Sequence, residues 1–312
     1  MKHISLGGSE LSASRIVLGC MRISQVDDAA LSKHLNTALE LGINTFDHAD
    51  IYGKGECEEK FGKILNSELK REEIILQSKC GIRYGNTAGA DIQYYDLSKE
   101  YIIDSVDGIL QRLGTDYLDL LMLHRPDTLM EPEEIAEAFD RLEQSGKVRH
   151  FGLSNFNASQ FDYVQKYSNH KLITNQVQFG PAEPNIVNSG MQSNTPFDGA
   201  VDRDGGLLDY ARHNNVTLQA WSPFHYGYFG GIFIDDSKYR ALNDKLEAIG
   251  QAHGVSKSAV AVAWILRHPA NMQTIIGTTN TDRLKEIAQS DAVNLTKPEW
   301  YSIYEAAGHV IP

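Results

Sequence analysis

Cysteine is scarce in this 312-residue chain: there are three, Cys20, Cys57 and Cys80. They are odd in number, scattered, and match no metal-ligand or redox spacing. That argues against a disulfide framework and a cysteine-built metal site. No metal is expected, and a reducing cytosol, hence a cytoplasmic location, is the simplest reading. Positive charge is also in deficit, with 29 Lys and Arg against 41 Asp and Glu, a net −12. A surface made for nucleic acid or an anionic membrane would not carry that balance, whereas a local basic pocket for a phosphorylated ligand remains compatible with it. No apolar run is long enough to span a bilayer. The opening "MKHISLGGSELSAS" lacks the apolar stretch of a secretion signal. The first strand-like run is followed by "GCMRIS" rather than Gly-x-Gly-x-x-Gly, which weakens a doubly wound nucleotide-binding reading.

What is present is an alternation. Eight apolar, β-branched runs read as buried strands: 15–21, 44–50, 73–80, 117–124, 148–155, 172–179, 217–223 and 272–278. Helix-like segments lie between them. "DDAALSKHLNTALELG" opens on acids and ends at Gly42, and Ser98 and Pro132 are typical helix starts. Strands and helices in strict turn predict a (β/α)8 TIM barrel, one domain over residues 1–312, preceded by an N-terminal β-hairpin turning at Gly7–Gly8 and closing the barrel bottom. Three connections look too long for plain turns: 81–97, 180–205 and 224–237. They follow strands at the face where barrel enzymes keep their sites, so they are expected to form the pocket mouth.

The ends of the predicted strands are unexpectedly polar. "FDHADIYG" closes the second strand with Asp47 and Tyr52, Lys79 ends the third and His124 ends the fourth. Residues at the C-terminal ends of neighbouring barrel strands converge in space. A lysine ammonium stabilises a phenolate and draws its pKa down, and an aspartate keeps that lysine charged. A histidine beside the phenol orients a carbonyl oxygen. Together they make a tyrosine acid able to protonate an oxygen as negative charge develops on it. Each residue has a plainer alternative when taken singly: Asp47 as a turn cap, Lys79 as a surface lysine, His124 as a core histidine. Their convergence carries the catalytic reading.

With "FDHADIYG", the "SK" at 78–79, "LLMLHRPD", "GLSNF" and "NQVQF" in this order, the chain resembles the aldo-keto reductases, bacterial-type cytosolic members included, from "IVLGCMR" to "IIGTTNTDR". The resemblance implies a barrel that reduces aldehydes and ketones by hydride transfer from NADP(H), or less readily NAD(H), with a small-molecule carbonyl substrate. It implies Asp47, Tyr52, Lys79 and His124 as a catalytic tetrad, with Tyr52 the acid. It also implies a cofactor groove. Ser154, Asn155 and Gln176 would bond the nicotinamide carboxamide, and Trp221 would stack on the ring. Ser222 and Pro223 would run along the pyrophosphate, and Met21 and Arg22 would border the nicotinamide ribose. The backbone from Gly277 with the Thr278 and Thr279 hydroxyls would suit a phosphate, and Arg283 would suit the 2′-phosphate of NADP. Gly277 stands where many relatives carry a lysine.

Two other functions fit parts of the pattern. Lys79 at a strand end suits a Schiff-base aldolase, and a redox-sensing or regulatory subunit would keep the cofactor groove with little turnover. For the substrate, Tyr94, Tyr95, Phe224, Tyr226, Tyr228 and Phe229 in the long loops predict a small or medium apolar or aromatic carbonyl. Asp91, Asp202 and Asp204 are expected to repel anions.

Overall fold

The computed structural model describes residues 1–85 and 92–312. A short hairpin comes first: β1 (His3–Ser5) pairs antiparallel with β2 (Ser12–Ser14). The chain then alternates through β3 (Ile16–Gly19), α1 (Asp28–Glu40), β4 (Thr45–Asp47), α2 (Glu56–Glu68) and β5 (Ile75–Cys80). The two-residue strands β6 (Ile82–Arg83) and β7 (Tyr94–Tyr95) precede α3 (Lys99–Leu113), β8 (Leu118–Leu123), α4 (Pro132–Gln144), β9 (Val148–Ser154), α5 (Ala158–Tyr167) and β10 (Leu172–Gln178). Next come α6 (Asn185–Met191), α7 (Leu207–His213), β11 (Thr217–Trp221) and a small hairpin of β12 (His225–Tyr226) and β13 (Gly231–Ile232). The described chain finishes with α8 (Arg240–His253), α9 (Lys257–Leu266), β14 (Gln273–Ile276), α10 (Thr281–Ala288) and α11 (Lys297–Ala306).

Strands β3, β4, β5, β8, β9, β10, β11 and β14 close into a parallel barrel in that order. All eight runs read from the sequence are there, trimmed at their polar ends. Parallel strands buried on both faces need apolar side chains on the helix-facing side, and Leu76, Leu121, Phe151, Leu218 and Ile276 supply them. Period two sends their neighbours Gln77, Leu120, Gly152, Gln219 and Gln273 to the other face. Gly152 has to be glycine: a Cβ there would sit 2.3 Å from the Thr174 hydroxyl. Leu6 plugs the bottom, packed with Ile75, Leu120, Met122 and Ile173, and the Gly7 N–H donates to Thr217 Oγ1 at 2.8 Å. Gly7 and Gly8 both carry positive φ in the turn, so the hairpin closes the barrel where the sequence predicts.

Helix caps follow the sequence signals closely. The Asp27 and Ser256 side chains accept N–H bonds at the starts of α1 and α9, and Asn157 and Thr296 form reciprocal capping boxes with Gln160 and Glu299. Behind the barrel, Trp264 of α9 and Trp300 of α11 stack with ring centroids 4.6 Å apart. Each indole N–H donates to the other's backbone carbonyl, at 3.0 and 2.9 Å.

The segment 180–205 departs from expectation. It contains α6, and its Asn188 and Gln192 side chains bond the Tyr304 hydroxyl of α11 at 2.7 and 3.2 Å. None of its residues lines the cavity at the C-terminal face, although Glu183 accepts the Gly227 N–H from the turn between β12 and β13.

Candidate active site

The turn after β4 places the first site residue. Tyr52 begins a tight turn in which Gly53 and Gly55 adopt φ of 57° and 95°. Glycine takes such angles freely, and Lys54 between them holds the same left-handed backbone, at φ 56°, despite its side chain. The turn swings the Tyr52 ring over the C-terminal end of the barrel, edge-on to His124 at 6.1 Å. Asp47 and Lys79 lie just below, 2 % and 0 % exposed.

Lys79 Nζ donates to Asp47 Oδ1 and Oδ2 at 2.7 and 2.9 Å, to the His48 carbonyl at 2.7 Å, and to Tyr52 Oη at 3.3 Å. An ammonium has three protons, and this arrangement uses them all, one shared by the carboxylate oxygens. Because the Tyr52 oxygen accepts from Lys79, its own O–H is directed elsewhere.

The electrostatics differ from the sequence expectation in one respect. Burial pushes the Tyr52 phenol up to about 12; the Lys79 cation opposes this and the Asp47 carboxylate adds to it. The lysine's pull is real, but desolvation of the phenolate outweighs it. Tyr52 is therefore held protonated, which suits an acid. Burial pulls Lys79 down, but Asp47 and Tyr52 overcome that and leave it above its ordinary value. Burial, then Lys79 and Arg125, keeps His124 well below the imidazole range, so it is neutral, and its Nδ1 has no hydrogen-bond partner among the described residues. Burial, then the neighbouring Glu58, pushes Asp50 up to about 7. Glu58 itself takes bonds from Ser78 and Arg112, both at 2.7 Å, behind the Lys79 strand.

Above this cluster is a cavity of about 390 Å³. Asp47, Tyr52 and His124 line it, as do Met21, Arg22, Ser154, Asn155, Gln176, Trp221, Ser222, Pro223, Gly277, Thr278 and Arg283. The groove residues read from the sequence thus come together, save two. Thr279 does not line the cavity, and Lys79 reaches it only through Asp47 and Tyr52. Asn155, at φ 65°, donates from Nδ2 to the His124 carbonyl and to Ser154 Oγ, at 3.1 and 2.9 Å, and accepts from Trp221 Nε1 at 3.0 Å. The Trp221 ring lies nearly parallel to Phe229, 5.7 Å away.

At the far end, Asn280 caps α10 by accepting from the Arg283 N–H at 2.9 Å. His34 of α1 ties down the preceding turn. Its Nε2 is 2.9 Å from the Thr278 carbonyl and so must be the donor, and its Nδ1 accepts from the Thr281 hydroxyl at 3.1 Å. The sequence reading missed His34; its only signal was a histidine on the core stripe of α1.

The aromatic expectation splits. Tyr95, Phe224, Tyr228 and Phe229 line the cavity, joined by Tyr84, His225 and Ile232. Tyr94 packs instead under Arg83, and Tyr226 against Tyr239 with its hydroxyl on Asp236. The expected repulsion of anions is not borne out by Asp202 and Asp204. They accept backbone N–H bonds from Asp204, Gly205 and Leu207 near the start of α7, and neither lines the cavity. Asp91 lies outside the described residues. The cavity instead has Arg22, Arg125 and Arg283 against Asp47 alone among described acids.

A closed parallel barrel with a buried ion pair, a protonated phenol and a neutral imidazole at its C-terminal face defines a barrel protein with its candidate site at the usual end of the fold. The chain belongs to the aldo/keto reductase family, whose sequence model matches residues 15–307. It is 35 % identical to an oxidoreductase of Escherichia coli (strain K12), YdhF, over the full length of both. It is 34 % identical to a 6-dehydroglucose reductase of Agrobacterium fabrum over 98 % of each chain. Its fold is shared by the thermostable aldo-keto reductase Tm1743, with a TM-score of 0.78, 24 % identity, and 98 % and 100 % of the two chains covered. Family membership makes the chain an oxidoreductase of a class that works with nicotinamide cofactors. No helix among the described residues is long and apolar enough to cross a membrane.

Proposed function

We propose that the protein reduces aldehydes and ketones to alcohols with NADPH, and that Tyr52 supplies the proton. The observation that carries this is the Lys79 ammonium bonded at once to Asp47 and to the Tyr52 oxygen, on the floor of a 390 Å³ cavity.

The chain's own groups fit a nicotinamide dinucleotide. Ser154, Asn155 and Gln176 converge with Trp221 at the tyrosine end, and Thr278 and Arg283 mark the other. A cofactor bound there supplies the hydride to the carbonyl carbon. Tyr52 transfers its proton to the carbonyl oxygen as charge builds on it, and the phenolate left behind is stabilised by Lys79, which Asp47 keeps charged. Neutral His124 orients the carbonyl oxygen by hydrogen bonding. The guanidinium of Arg283 suits the 2′-phosphate of NADPH.

The Schiff-base alternative requires a neutral amine with room to attack. Lys79 is fully buried, ion-paired and held above its ordinary pKa, which counts against it. The three cysteines, none of them paired, fit a reducing, cytoplasmic setting. For substrate we favour small to medium carbonyls with an apolar or aromatic body, on the strength of Tyr84, Tyr95, Phe224, Tyr228 and Phe229 in the lining. Since a relative is named a 6-dehydroglucose reductase, an oxidised sugar belongs in the same panel.

The test is Tyr52→Phe. Turnover of an aldehyde with NADPH should fall by roughly 10² to 10⁴-fold, the usual worth of a positioned acid, while NADPH binding changes little. Undiminished turnover in that variant would sink the assignment.

A further inference from the structure

The barrel interior below Asp47 is not apolar. Gln77 of β5, Gln176 of β10, Gln219 of β11 and Gln273 of β14 are all at most 3 % exposed. Gln176, Gln219 and Gln273 are register partners across three neighbouring strands. Their amides form one connected chain, and its two ends settle which end of each amide is nitrogen, because a carboxylate and a backbone carbonyl only accept.

At the upper end, Asp47 Oδ1 takes Gln77 Nε2 at 2.6 Å and Gln176 Nε2 at 3.0 Å. At the lower end, the Ser14 carbonyl takes Gln273 Nε2 at 2.7 Å. Between them, Gln219 Oε1 accepts from Gln77 at 3.1 Å and from Gln176 at 3.0 Å. Gln219 Nε2 donates to Gln77 Oε1 at 2.9 Å and to Gln273 Oε1 at 2.7 Å. Every N–H of Gln77, Gln176 and Gln219 is used. One strong acceptor is left over: Gln176 Oε1 takes no hydrogen bond from the described residues, and Gln176 lines the cavity.

We propose that Gln219 is a positioning residue. With Asp47 it holds the Gln176 amide nitrogen inward and the oxygen outward, as a fixed acceptor for the –NH2 of a nicotinamide carboxamide. This rests on the nicotinamide reading above. Asp47 alone is a poor anchor, because its Oδ1 already receives Lys79 at 2.7 Å and Gln77 at 2.6 Å, and the Gln176 bond is the longest of the three. Two lone pairs cannot serve three donors well. Gln219 Oε1, which meets only amide N–H groups, supplies the second anchor.

The probes are NADPH and its reduced 3-acetylpyridine analogue, in which a methyl replaces the amide –NH2, with binding followed by titration rather than turnover. The intact chain should bind NADPH roughly tenfold more tightly, the worth of about one hydrogen bond. Gln219→Met removes both the acceptor and the donor and should bring the two ligands to near parity. Gln219→Asn, one methylene too short to bridge Gln176 and Gln273, should do the same while keeping an amide in the barrel should the methionine variant not fold. Gln219→Glu keeps the acceptor for Gln176 and should restore discrimination. Gln273→Met disturbs packing at the far end but leaves both anchors of Gln176, and should retain it. Wild-type discrimination surviving in Gln219→Met or Gln219→Asn, or lost equally in Gln273→Met, overturns the proposal. A wild-type chain that binds NADPH and the analogue equally overturns the roles of Gln176 and Gln219 alone. One that binds neither NADPH nor NADH overturns the nicotinamide reading itself.

Discussion

Tyr52 and Arg283 line one cavity and answer to different physics. At Tyr52, desolvation beats a cation at hydrogen-bond distance, so the phenol keeps its proton until about pH 12. Lys79 earns its place by receiving the charge after the proton leaves, more than by loosening it beforehand. Arg283 is solvent-exposed, its backbone N–H committed to Asn280, and its contribution to a phosphate is accordingly that of a partly screened pair. Arg283→Ala should weaken NADPH binding by roughly tenfold, at the lower end for charge-assisted bonds, and leave NADH nearly unchanged. Equal losses for both, or none, would show that Arg283 does not read the 2′-phosphate.

Among the elements, what could be read in the sequence divides along a physical line. The eight barrel strands were legible because they are continuous apolar runs, and α1 to α5, α7, α9 and α10 because helix-like stretches stand between those runs, some with local caps as at Asp27, Asn157 and Ser256. Asp47, Tyr52, Lys79 and His124 were legible because polar side chains at the ends of such runs have no packing role. Three helices were not. α6 sits among asparagines and glycine with no cap side chain, α8 was hidden behind a long connection, and the α11 stretch "KPEWYSIYEA" was not read as a helix despite its capping box. Gln77, Gln219 and Gln273 were in view as single polar letters inside apolar strands, but which face they point to emerges only once the barrel closes. The α6 segment is held by long-range polar contacts rather than local propensity. Tyr304→Phe would strip Asn188 of a donor and Gln192 of an acceptor, all three residues being 9 % exposed or less. We expect a cost of about 1–3 kcal/mol for buried groups left unpaired, seen as a melting temperature lower by a few degrees. kcat/KM should be unchanged, since α6 does not line the cavity. A loss of activity without a loss of stability would contradict this placement of the 180–205 segment.

For the molecule as a whole, buried titratable groups set how stability varies with pH. His48 is held down to about 3 by burial, then by Lys79, against an ordinary 6.5. The unfolded chain thus binds a proton there that the folded chain refuses. This contribution to stability is complete above pH 6.5 and is lost as pH falls towards 3. His268, down to about 4 by burial and then Arg212, loses its share over pH 6.5 to 4. Asp50 works in the opposite sense. Its ordinary 3.8 is raised to about 7, so its contribution is complete below 3.8 and disappears as pH rises through 7. His48 and Asp50 nearly offset one another between pH 4 and 6.5. His268 and the likewise depressed His34, His124, His225 and His309 outnumber the raised carboxyls Glu58 and Asp204, which act in the opposite sense, and the imidazoles set the remaining slope. The melting temperature should therefore decline as pH is lowered from 6.5 to 4.5. A flat or rising profile over that range would mean these imidazoles are charged in the folded chain.

The indole positions have an optical consequence. Of the three tryptophans, Trp264 and Trp300 are clasped face to face at 4.6 Å with nearly parallel rings. Both are buried in fixed, asymmetric surroundings, and the pair should give a near-ultraviolet circular dichroism signal that disappears when α9 and α11 part. Trp221 stands apart at the cavity wall, against Phe229 and hydrogen-bonded to Asn155. Its emission responds to whatever enters beside it. Folding and occupancy are thus written in different chromophores of the same residue type, and a single cuvette can follow both.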